Sequence, residues 1–210
     1  MQKSKSQILL KIPLGRIREI IQNRGVKNTF VHGMRRFAAG RKKRIFGPDV
    51  IRINPVSYLC NHDCPMCWRC QLTEAEREEQ IRIDKHESLN LQDYEKLFSS
   101  RIPGLREINV VGGGEPLVYK GIDELFRLIK SNGLEGNIIT NGTLLDEKKI
   151  KNLLNINWDL TRVSVNAGDA STYTLVQGSN QFEVLKSNLK AFVSMRESMS
   201  KADRCKLVLF

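Results

Sequence analysis

After residue 47 the apolar positions of this chain follow two alternating rhythms. Short β-branched runs at 50–56, 107–111, 137–140, 162–165 and 206–210 have the length and composition of strands. Between them, apolar residues recur every three or four positions, the spacing of one helix face. Leu91, Tyr94, Leu97 and Phe98 form such a stripe behind Asn90, a good N-cap, and Ile122, Leu125, Phe126 and Ile129 form a second. Ile150, Leu153 and Leu154 predict a third helix, and Phe182, Leu185, Leu189, Phe192 and Val193 a long fourth. Strands joined by helical crossovers make a parallel sheet, open or closed into a barrel, so the predicted class is α/β. In such folds the loops leaving the C-terminal ends of the strands gather at one rim, where ligands bind.

The first 47 residues have a different texture. Ile8, Leu9, Ile12, Ile17, Ile20 and Ile21 keep roughly helical spacing, interrupted at Pro13 and Gly15. Phe30, Val31, Met34, Phe37 and Ala38 form a shorter amphipathic piece before the basic run 41–44. Thirteen Lys and Arg stand here against Glu19 alone, whereas the remaining 163 residues hold 21 basic and 22 acidic side chains. The net charge of +11 therefore belongs to a basic, partly helical extension over residues 1–47, ahead of a core over 48–210. Such an extension suits an anionic surface, nucleic acid or an acidic partner, or is a solvated helix lying on the core. It carries no base-reading motif. No apolar run is long enough to cross a bilayer and no export signal precedes the core, which predicts a cytoplasmic protein, with peripheral membrane contact through residues 1–47 as an option. With 40% hydrophobic and 27% charged residues the composition is that of a globular domain.

The candidate chemistry starts at "CNHDCPMCWRC", residues 60–70, which holds four of the five cysteines. In a reducing compartment, thiols so clustered are metal ligands or redox groups more often than disulfides. Cys60, Cys64 and Cys67, spaced C-x3-C-x2-C, suit one irregular loop wrapped around an iron–sulfur cluster with one iron left open. Adding Cys70 would close the cluster and give an electron-transfer module, or complete a tetrahedral structural zinc site, although zinc ribbons usually need a second, separated knuckle. His62 reads as a loop residue and Cys205 as a small core residue. The cysteine loop follows the first predicted strand, "GGGEP" (112–116) the second and "TNG" (140–142) the third, so all three meet at one rim.

Together, "CNHDCPMCW", "GGGEP" and "SVNAGDASTY" (164–173), in this order at successive strand ends, resemble the radical S-adenosylmethionine (SAM) superfamily, in particular its SPASM-containing and peptide-modifying branches. The resemblance covers 48–210. It implies a partial TIM-type (βα)6 barrel, incomplete at the C-terminus, in which Cys60, Cys64 and Cys67 hold a 4Fe-4S cluster. SAM would chelate the open iron and be reductively cleaved to a 5′-deoxyadenosyl radical that takes a hydrogen atom from an unidentified substrate, with peptide as a candidate. An electron donor such as flavodoxin or ferredoxin is implied as partner.

On that reading Gly112, Gly113 and Gly114 let the SAM ammonium approach backbone carbonyls, although a plain glycine turn is the alternative. Glu115 helps to position the ammonium, and Pro116 ends the strand. Ser164 and Asn166, two apart on a predicted strand, face one way toward ribose hydroxyls or else cap the strand end. Thr140 and Asn141 line the pocket floor, Asn141–Gly142 being also a good turn. Met66 stands where the superfamily often has an aromatic residue and packs on adenine, with Trp68 as a second stacking candidate. Cys70 is extra and is expected to point away from the open iron. The superfamily core has six strands, and only five are predicted here. The chain is therefore expected to be an N-terminal part of such an enzyme or to be completed by another chain. The charged loop 69–90 covers the site or is solvated helix.

Overall fold

Five strands, β1 (Val50–Ile53), β2 (Glu107–Val110), β3 (Glu135–Thr140), β4 (Leu160–Val163) and β5 (Lys206–Leu209), lie parallel and side by side in chain order. The computed structural model describes residues 47–86, 89–100, 102–199 and 205–210. The basic extension therefore lies outside the described residues, apart from Gly47. Six helices connect the strands: α1 (Glu74–His86), α2 (Leu91–Ser99), α3 (Ile122–Ser131), α4 (Glu147–Asn155), α5 (Ala170–Gln177) and α6 (Phe182–Ser198). The sheet is open, a partial barrel with the α/β order that the periodicity predicts.

Register explains why one face of the sheet is apolar and the other polar. Arg52 pairs with Asn109 and Asn109 with Asn137, so these three share a face, while Ile53, Val110 and Ile138 share the opposite one. Ile108, Val110 and Ile138 are fully buried there beneath Leu125, Phe126, Ile129, Leu153, Leu154 and Phe192. Each such side chain contributes about 1.5–3 kcal/mol on burial. Trp158 completes this layer, its ring 4.5 Å from that of Phe126. It fits because position 136 is glycine: a Cβ there would lie 2.2 Å from the indole.

Helix starts follow the capping chemistry. Asn90 and Asp93 form a reciprocal capping box on α2, and Asp146 and Asp169 cap α4 and α5. The structure departs from the periodicity at the strand ends. β1 stops at Ile53 rather than 56, since Pro55 has no N–H for the ladder. β4 ends at Val163, and the chain beyond it turns at Asn166, whose φ is +56°. Ser164 and Asn166 thus lie past the strand, and the alternation argument that placed them on one strand face does not apply. The sequence reading also missed α5, which lacks a clear apolar stripe.

Candidate active site

The loops after β1, β2 and β3 converge, as expected, on a cleft of about 320 Å³ at the C-terminal rim of the sheet, and the chain beyond β4 joins them through Ser164 and Asn166. That volume is at the small end of the range of roughly 300–1,000 Å³ typical of ligand pockets. Cys60, Cys64 and Cys67 line it together with Met66, Gly112, Gly113, Gly114, Glu115, Thr140, Asn141, Ser164 and Asn166. Pro116 does not; it is buried at the start of the short 3-10 turn Pro116–Val118. Cys70, in the 3-10 turn Trp68–Gln71, also lies outside the lining, as does the half-exposed Trp68, whose ring meets Tyr58 edge-on.

Backbone contacts shape the cysteine loop before any ligand does. Cys67 N–H donates to the Cys64 carbonyl (2.9 Å) and Cys70 N–H to the Cys67 carbonyl (3.0 Å), two successive turns that space the thiols. The glycine run packs directly on the start of this loop. A Cβ on Gly113 would lie 2.2 Å from the Ser57 carbonyl oxygen, and one on Gly114 would lie 2.1 Å from that of Leu59. The glycines are therefore required for the approach of two segments of this chain, in addition to any approach of a ligand.

Two charged residues that the sequence reading missed hold the same loop. Asp84, on α1, accepts from three successive backbone amides, Ser57 N–H at 2.6 Å, Tyr58 N–H at 2.7 Å and Leu59 N–H at 2.7 Å. Helix α1 buries no residue of its own and holds the loop through this clamp and through Arg77, whose Nη2 donates to the Cys70 carbonyl at 3.0 Å. Arg69 is buried, donates to the His62 carbonyl (2.8 Å), lies over the Tyr58 ring at 4.8 Å and pairs with Asp63 at 3.5 Å. It brings a positive charge to the wall that carries the thiols. Neither role has a local sequence signal, because each depends on contacts made only after the loop folds back.

Glu115 is 3% exposed and fully engaged. One carboxylate oxygen accepts from Leu117 N–H (3.0 Å) and the Thr140 hydroxyl (2.6 Å), the other from Asn141 N–H (2.8 Å). It therefore ties the loop after β2 to the loop after β3. Burial pushes its pKa up, and the donors at Asn141, Thr140 and Leu117 oppose that rise. Asn141 is similarly occupied: its Nδ2 donates to Asn61 (2.9 Å) and its Oδ1 accepts from the Thr143 amide and hydroxyl. His62 is a buried wall residue with Nε2 3.4 Å from the Thr143 hydroxyl, and burial lowers its pKa.

Two of the three thiols, Cys60 and Cys64, are biased toward the protonated form. Burial raises the Cys60 pKa, and burial together with the neighbouring thiols pushes Cys64 up to about 11. The Cys64 thiol donates to Gln177 Oε1 at 2.8 Å. Among the described residues no three His, Cys, Asp or Glu side chains converge as one metal ion would require. The thiols line a space rather than enclose a point.

The strand-end loops of the parallel sheet thus gather three thiols and a glycine run around one candidate ligand-binding cleft. The sequence matches the Radical SAM superfamily over residues 54–198, and the chain belongs to that superfamily. Members of this superfamily use a 4Fe-4S cluster and SAM. Over 144 residues the chain is 28% identical to the tungsten-containing aldehyde ferredoxin oxidoreductase cofactor-modifying protein of Pyrococcus furiosus, covering 69% of this chain and 38% of that protein. It is 26% identical over 132 residues to an uncharacterized protein of Methanocaldococcus jannaschii, covering 62% of this chain and 39% of that one. The chain thus spans about two fifths of the length of these relatives. Streptococcus suis SuiB bound to precursor peptide SuiA shares the fold with a TM-score of 0.54 at 19% identity, over 89% of this chain and 39% of SuiB. So does anSMEcpe with bound AdoMet and a peptide, with a TM-score of 0.55 at 18% identity, over 78% of this chain and 42% of that one.

Proposed function

We propose that this chain is the cofactor-binding part of a radical SAM enzyme, with Cys60, Cys64 and Cys67 as the three ligands of its 4Fe-4S cluster. The observation that carries this reading is that these three thiols and the glycine run share one cleft while Cys70 stands outside its lining. The donor set fits the cofactor: soft thiolates suit iron–sulfur clusters, and three of them leave one iron for SAM. When bound, the cluster and SAM supply the hard step, reductive cleavage to a 5′-deoxyadenosyl radical that abstracts hydrogen.

The remaining work belongs to the protein. The Gly112–Gly114 carbonyls stand where the SAM ammonium would be held, and Glu115 fixes that wall from behind. Met66, exposed at the mouth of the cleft, covers the adenine, while Ser164 and Asn166 offer hydrogen bonds to the ribose. Arg69 offsets the negative charge that thiolates and sulfide bring to the loop. For the substrate we favour a peptide, because two solved neighbours of the same fold are captured with peptides.

Anaerobic reconstitution with iron and sulfide tests the reading. The expected result is about four irons per chain, an electron paramagnetic resonance (EPR) signal that shifts on adding SAM, and 5′-deoxyadenosine on reduction. The Cys70→Ala variant keeps all three. A cluster that ignores SAM, or that is lost in Cys70→Ala, overturns it in favour of a closed four-cysteine site.

A further inference from the structure

Gln177 closes helix α5 at the back of the cleft, and the reason for its position is visible in the next residue. Gly178 is the left-handed C-cap, with φ +59°, and a Cβ there would lie 2.3 Å from the Asp63 carbonyl oxygen. The end of α5 is thus pressed onto the cysteine loop immediately before Cys64. This contact delivers the Gln177 carboxamide, 2% exposed, to the Cys64 sulfur.

The carboxamide is only half used. Oε1 accepts the Cys64 S–H at 2.8 Å and also faces the buried His62 ring, while Nε2 is buried with no hydrogen-bond partner. An amide N–H orphaned in this way costs about 1–3 kcal/mol. The arrangement is the opposite of what a ligating sulfur needs, because a metal-bound thiolate has no proton to give and can only accept. Two lone-pair bearers, Oε1 and thiolate sulfur, would then face each other at close range. Rotation of the carboxamide by half a turn removes both faults, aiming Nε2–H at the sulfur and taking Oε1 away from it.

We infer that Gln177 is a positioning residue for the cluster, donating an Nε2–H···S hydrogen bond to Cys64 in the loaded protein and thereby raising the cluster's reduction potential. The inference rests on the three-cysteine reading given above. Hydrogen bonds to cluster sulfurs stabilise the more negative, reduced state and are among the main protein controls on potential. In this superfamily the cluster must be reduced before it can act, so the bond makes it easier for a given donor to deliver the electron. In the switch the Cys64 thiol gives up its proton to solvent as its sulfur binds iron, and the carboxamide turns without gaining or losing a proton.

The test uses the reconstituted full chain. With glutamine side chains labelled by ¹⁵N, pulsed EPR of the reduced wild-type cluster is expected to show a ¹⁵N coupling that is lost in Gln177→Leu. Redox titration of Gln177→Leu and Gln177→Glu is expected to show midpoint potentials shifted below that of wild type, with cluster content retained. Should either variant fail to fold, the wild-type coupling alone decides. A wild-type cluster that responds to SAM yet shows no glutamine coupling, or variants with unchanged potential, overturns this inference alone. Wild-type protein that takes up no cluster overturns the three-cysteine reading and this inference with it.

Discussion

At Cys64 the cost of the proposed ligand role is readable in the surroundings of the thiol. Its pKa of about 11, raised from 9.0 by burial and neighbouring thiols, leaves roughly one-hundredth of the usual thiolate at pH 8. The greater nucleophilicity of a more basic thiolate recovers part of that deficit. Alkylation of Cys64 by iodoacetamide in metal-free protein is therefore expected to be on the order of tenfold slower than that of free cysteine, with a rate still rising above pH 10. Peptide mass spectrometry after timed labelling checks it. Glu115 gives a prediction of a different kind. In Glu115→Gln the amide –NH2 must face one of the three donors that the carboxylate now accepts, which is expected to cost about 1–3 kcal/mol in urea unfolding. The sign of the pH dependence follows from the raised pKa. The folded protein holds this proton more tightly than the unfolded chain, so Glu115's contribution is full below pH 4.5 and falls as pH rises through the folded value. That part of the pH profile is expected to vanish in the Gln variant.

Among the elements, those with a strong stripe were legible and those positioned by a single contact were not. Leu125, Phe126 and Ile129 announce α3, and all are fully buried, because three- and four-residue spacing reports burial directly. Helix α5 has no such stripe: Leu175 is exposed, while Tyr173 and Gln177 face inward. The three cysteines and the glycine run were recognisable because their spacing is local. Asp84 was not, since its partners lie 25 to 27 positions away and nothing in a charged helix singles it out. Its importance is testable. Asp84→Ala leaves the amides of residues 57–59 without an acceptor, so faster hydrogen exchange at those three positions and lower iron uptake on reconstitution are expected, with far-UV circular dichroism unchanged. The glycine run makes a companion case. Gly113→Ala sets a Cβ 2.2 Å from a carbonyl oxygen and is expected to cost roughly 1–3 kcal/mol. In Gly168→Ala the new Cβ meets nothing within 4 Å, and the change is expected to stay within about 0.5 kcal/mol.

For the whole molecule, the cleft is where separately anchored segments meet. Most of the sheet and its helices pack around one large apolar cluster, with Val163, Tyr173 and Leu185 in a smaller second one, but the cysteine loop, the glycine run, the turn after β3 and the chain beyond β4 are joined at the rim mainly by polar contacts: Asp84 to 57–59, Glu115 to Thr140 and Asn141, Asn141 to Asn61, and Cys64 to Gln177. A ligand that touches all four segments at once binds only the arrangement in which they are together, so its binding energy becomes stability of the whole. SAM at about 100 times its dissociation constant adds about 2.7 kcal/mol by mass action. For a domain of this size that corresponds to a rise in Tm of about 5–10 °C. This rise is expected in scanning calorimetry of the reconstituted protein under anaerobic conditions. It is expected to disappear when Cys60, Cys64 and Cys67 are all replaced by Ala, because on the proposed reading SAM then keeps only the glycine run and the ribose contacts and has no open iron. A SAM-induced rise of equal size in that triple variant would mean that the cleft recognises the metabolite without a cluster, and the division of labour between thiols and glycines would have to be redrawn.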